Sequence, residues 1–157
     1  MTNPHDQLAE AVAAWRVVLP AAREALIDAA VFAVVEGSES AAVAELAGLE
    51  SDNGFVIDTL IERVVLETNL ERLLETDVGV LATKKLARDV CDGRLGERAV
   101  TQWVHARFHH EAEADILNQL AALDDEYDEL AYANGDLGDV RKRIRETAAL
   151  LLRDGVS

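Results

Sequence analysis

Cysteine is almost absent. The single Cys91 rules out a disulfide within the chain and fits a reducing compartment. Read alone, it is a small residue suited to burial on a helix rather than a reactive thiol. Aromatic residues make up only 4% of the chain, and there are two prolines, Pro4 and Pro20. Lysine is scarcer still, with three in all (Lys84, Lys85 and Lys142). The longest unbroken apolar run, Ala29–Val35, is far too short for a membrane span. The first residues, MTNPHDQLAEA, are neither basic nor apolar, so a secretory leader is not expected. There is no glycine-rich phosphate loop, no nucleophile elbow and no cysteine pair, so no residue is nominated as catalytic and the expectation is a protein that is not an enzyme.

Apolar residues make up 50% of the 157, which is enough for a packed core. Thirty acids stand against fifteen bases, for a net charge of −15. An acidic, lysine-poor surface over an ordinary core has the character of a protein from a salt-in halophile, where concentrated salt screens the self-repulsion. A surface selected to meet a basic partner is the other explanation.

Helix signals recur along the chain. Asn3-Pro4-His5-Asp6 has the form of a helix start. Leu8, Val12, Trp15, Leu19, Leu26, Ala30 and Ala33 keep one helical phase through Pro20, so either one helix kinked at Pro20 or two helices would satisfy the pattern. From Ile27 to Val35 nearly every position is apolar, which predicts burial on all sides or contact with a partner subunit. Ser38 or Ser40 should cap a short helix ending at Ala47, with Gly48 as its stop, and residues 51–54 should turn. A helix from about Phe55 to Glu75 follows. Val78–Leu81 is the only candidate for extended chain, and Thr83 is placed to cap the next helix, which contains Cys91. After Asn134-Gly135, Leu137, Val140, Ile144, Ala148 and Leu151 form a clean amphipathic stripe.

The longest candidate helix covers residues 96–133. Its two halves carry different apolar faces. Val100, Trp103, Val104 and Phe108 lie on one, and Ile116, Leu120, Leu123, Tyr127 and Leu130 lie about 150° round the wheel. Such a helix must bend near His109–Ala112 or pass between two sets of partners. Asp124, Asp125, Glu126, Asp128 and Glu129 read as a solvated acidic tip.

Three constellations could carry chemistry. Ser40–Ala47, a turn and Val56–Leu60 have an apolar spacing that resembles the first two helices of a generic helix-turn-helix, with a Glu-Leu-Ala helix supporting a recognition helix. That second helix carries Asp58, Glu62 and Glu67 against Arg63, and carboxylates oppose phosphate. Residues 84–108 hold six bases against three acids, net +3 in a chain whose remainder is −18. Lys84, Lys85, Arg88, Arg94, Arg98, Gln102 and Arg107 are the candidate nucleic-acid contacts. A contact between this basic side and the protein's own acidic helices, or a second subunit, is the plainer expectation. His105, His109 and Glu113, spaced i, i+4, i+8, are the candidate metal ligands, since an i, i+4 histidine pair can share one ion. None of the four histidines has Glu three positions before it, so a helical di-iron site is not expected.

The combined expectation is an all-α, single-domain bundle of about six helices, cytoplasmic, non-membrane and without a cofactor. It would act by protein–protein contact as a self-associating adaptor. A helix-turn-helix nucleic-acid regulator using residues 84–107, and a bundle holding a transition-metal ion through His105 and His109, are the alternatives.

Overall fold

The computed structural model describes residues 3–154, with side chains through Arg153. Among the described residues 74% are helical and none forms a strand. The helices are α1 (Pro4–Arg16), α2 (Ala22–Val35), α3 (Ala41–Ala47), α4 (Gly54–Thr68), α5 (Glu71–Leu74), α6 (Val78–Cys91), α7 (Arg98–Phe108), α8 (Asp115–Tyr132) and α9 (Gly138–Asp154). The all-α class is as expected. The count exceeds six because three expected long helices are broken.

The chain divides into two compact units where a single one was expected, unit 1 up to Ala82 and unit 2 from Thr83 onward. In unit 1, Asn3 caps α1 through a 2.8 Å bond from the His5 amide. The helix stops at Arg16 rather than kinking. Pro20 has no N–H to bond Arg16's carbonyl, and its ring would clash with that carbonyl. Val18 and Ala21 take positive φ in the connection, a conformation that costs energy for residues with a Cβ. α2 then packs back on α1. The shared apolar phase through Pro20 therefore reflects one core, not one helix. Leu8, Val12, Leu26, Ala30 and Ala33 all lie in it, with Val43, Leu46, Ile57, Ile61 and Val64 from α3 and α4.

Ser40 caps α3 by accepting from the Val43 amide at 3.2 Å, and Gly48 ends that helix. Asn53 caps α4. α4 ends at Thr68, whereas apolar periodicity carried it on to Glu75. The stop is Asn69, which adopts the left-handed conformation that asparagine tolerates. Val78–Leu81 is helical, not extended. Asp77 Oδ1 accepts from the Gly79 amide and starts α6 there, ahead of Thr83.

Unit 2 is built round α8, which packs on both α7 and α9. Val100 and Val104 of α7, Leu117, Leu120 and Ala121 of α8, and Val140, Ile144, Ala148 and Leu151 of α9 are buried. The stripe expected for the last helix is thus its packing face. The single helix over 96–133 does not exist. His109, at φ 54°, terminates α7, and the chain returns as α8. The turn resolves the mismatch between the two apolar faces, because two helices can each aim their own face at the core.

Candidate functional site

A polar constellation centred on one buried acid lies between α7 and α8. Asp124 is only 4% exposed, although its neighbours in sequence suggested a solvated tip. A carboxylate in such a place needs donors around it, since burying an unpaired charge is costly. α7 supplies them. Arg98 Nη2 and Nε donate to Asp124 Oδ1 at 3.2 and 3.3 Å, and Thr101 Oγ1 donates to the same oxygen at 3.1 Å. His105 Nδ1 lies 2.9 Å from Oδ2. These three residues sit at spacings 3 and 4 on α7, so one helical face meets one acid.

Arg98 also pairs with Asp128 at 2.8 Å and stacks 4.5 Å from the Tyr127 ring centroid. The hydrogen bond to Asp124 holds the His105 pKa above its ordinary value against desolvation, helped by the charges of Asp125, Asp124 and Asp128. His110 comes from the connection after α7. Its ring centroid is 5.0 Å from that of His105, and its Nε2 is 2.9 Å from Asp125 Oδ2. The connection is clamped by Asn118, whose side-chain amide exchanges two 2.9 Å bonds with the backbone of Ala112. A shallow, open depression of about 390 Å³ lies alongside, lined by residues that include Gln102, His105, His109 and Asp124.

Of the expected metal residues, His105 and His109 both line this depression, while Glu113 lies beyond the end of α7. His105 is joined by His110 and Asp125, whose donor atoms with its own lie within 4.8 Å of one another. His109 lines the depression, and Glu113 lies exposed in the connection before α8. The i, i+4, i+8 spacing assumed a helix running through 109–113, and the helix ends at 108. A histidine five residues after another carried no signal, because His110 reaches His105 through a turn.

Of the candidate nucleic-acid contacts, Lys85 pairs with Asp89 at 2.7 Å, Arg94 with Asp89 and Asp92 at 3.7 and 3.8 Å, and Arg98 with Asp124 and Asp128. Lys84 and Arg88 are half-buried on α6, while Gln102 and Arg107 are exposed on α7. Cys91 is exposed at the end of α6, against the expectation of burial. Partial desolvation and the charge of Asp92 push its thiol pKa up, the opposite of what an activated nucleophile needs.

In unit 1, α4 packs on α3, and its outward side presents Phe55 (79% exposed) and Leu66 with Asp58 and Glu62, while Glu67 turns to the start of α3. Asp58 accepts from Trp15 Nε1 at 2.7 Å, and Arg63 is paired with Glu45 at 2.7 Å. On α2, Val31, Val34 and Val35 are exposed, so the apolar run is not buried on all sides. No helix among the described residues is long and apolar enough to cross a membrane. Compared with known proteins, the chain matches no family model, no curated protein and no solved structure.

Proposed function

We propose that the protein is a non-enzymatic adaptor of a halophile's cytosol that works by protein–protein contact and self-associates through α2. One observation carries the reading: Val31, Val34 and Val35 leave a helical apolar stripe open to solvent, with half-buried Ile27 continuing it one turn earlier. A second copy is the occupant that fits. The same stripe on two molecules is self-complementary, as a two-fold interface requires. The stripe is flanked by exposed Glu24, Asp28 and Glu36, so two copies repel at low salt and approach when salt screens them. The acidic surface and the self-association are then parts of one design.

The outer face of α4 is the proposed site for a different protein. Phe55 and Leu66 stand about 16 Å apart along the axis with carboxylates between and beside them, which suits a basic amphipathic segment better than phosphate. The nucleic-acid alternative draws less support from the structure than from the sequence. Lys85, Arg94 and Arg98 already face the protein's own carboxylates, so phosphate would have to compete for them.

Light scattering on untagged protein between low and molar KCl tests the reading. The mass should rise towards a dimer as KCl increases, and Val34→Glu should hold the protein monomeric at every salt concentration, with the melting temperature of wild type at low salt, where both are monomeric. A wild type that stays monomeric in molar KCl sinks the proposal.

A further inference from the structure

We propose that His105, His110 and Asp125 form a binding site for a divalent transition-metal ion of the zinc class, with a position left open to solvent. Two imidazoles and a carboxylate are the donor set that such ions prefer, whereas magnesium and calcium favour all-oxygen sites. The three donor atoms lie within 4.8 Å of one another. Ligand bonds of about 2.0–2.2 Å in tetrahedral geometry call for donor separations of about 3.4 Å, so the 2.9 Å contact between His110 and Asp125 must open slightly and any donor pair near the 4.8 Å limit must close. Side-chain rotation can supply both, since His110 and Asp125 each leave 48% of their side-chain surface exposed.

The surroundings favour the cation. The charges of Asp124, Asp125 and Asp128 all act on His105, and Arg98 is the opposing charge, bonded to Asp124 and Asp128. His110 Nε2 and Asp125 Oδ2 now share a 2.9 Å contact, and a metal ion would take the bridging position. Asp124 has the part of an orienting carboxylate. It is buried, it is fixed by Arg98 and Thr101, and its 2.9 Å contact to His105 Nδ1 sets the ring's orientation. The clamp from Asn118 to Ala112 holds the connection that delivers His110. The His105 side of the site is therefore supported from behind, while His110 and Asp125 close on it from the surface.

Titration calorimetry with zinc chloride, and the visible spectrum of the cobalt(II) form, test the site on untagged full-length protein. Wild type should take up one equivalent, and His109→Gln should do the same. His110→Gln and Asp125→Asn, both at exposed positions, should lose binding. Asp124→Asn should weaken it about 10–100-fold. Absence of uptake by the wild type overturns the proposal. So does loss in His109→Gln with retention in His110→Gln, which would assign binding to the helical i, i+4 pair instead. Cobalt spectra that are unchanged by His110→Gln overturn it as well.

Discussion

Asp124 of α8 takes one oxygen to Arg98 and Thr101 and the other to His105, so a single buried carboxylate fixes three residues along the inner face of α7. The α7–α8 hairpin is held by this polar joint in addition to apolar packing. The joint is local to unit 2 and joins segments 19 to 26 residues apart in sequence.

Replacing that acid should therefore be costly. Asp124→Ala removes an acceptor from the guanidinium of Arg98 and leaves the Thr101 hydroxyl only its 3.3 Å contact with the Arg98 carbonyl; the expected loss is about 1–3 kcal/mol, moderated because Arg98 is partly exposed and keeps Asp128. Urea denaturation followed by circular dichroism measures it. A midpoint indistinguishable from wild type would show that the joint contributes nothing.

Asn118→Ala should loosen the turn between α7 and α8. Two backbone-directed bonds to Ala112 disappear together, for about 1–2 kcal/mol. Faster amide exchange at Ala112 is the specific readout. Global stability lost without any local change at that amide would contradict the clamp.

Glu67 should titrate low. The Ala42 amide, at 3.1 Å, and the Ser40 hydroxyl, at 2.8 Å, donate to its carboxylate and hold its pKa below the ordinary value. A depressed folded pKa means that the contribution to stability is complete above the ordinary carboxylate pKa and disappears as pH falls through the lower folded value. A carbon-detected NMR titration should show Glu67 protonating below the other exposed glutamates, with the Ala42 amide shifting in step. An ordinary midpoint, or an Ala42 amide that ignores it, would refute the contact.

Salt should stabilise the fold. With a net charge of −15, self-repulsion acts on the compact state and is screened by added ions. The melting temperature in molar KCl should exceed that at low salt, and also in Val34→Glu, where association no longer contributes. A flat profile in that variant would remove the halophilic explanation of the surface.

The sequence by itself determined what depends on near neighbours. Helix caps at Asn3 and Ser40 satisfy amides two or three residues away, so they are visible in a short window, while Asn53, expected only as part of a turn, caps α4 by the same local bond. The α9 stripe is equally local, and its buried residues Val140, Ile144, Ala148 and Leu151 follow from helical spacing alone. The net charge and the all-α class needed no tertiary information. Asn69 carried a readable stop signal that apolar periodicity outweighed.

Tertiary structure decided where periodic segments break and what faces what. Pro20 was compatible with a kink until α2 was seen to fold back on α1. His109 has no helix-breaking chemistry of its own, and α7 ends there because two apolar faces rotated about the axis must reach one core. That break took Glu113 off the helical course of His105, brought His110 beside it, and turned Asp124 from one acid in a charged run into the buried anchor of the hairpin. A run of carboxylates looks uniform in sequence. Only the neighbouring helix selects the one that is desolvated, because the donors that make its burial tolerable lie on that helix and not in the run itself.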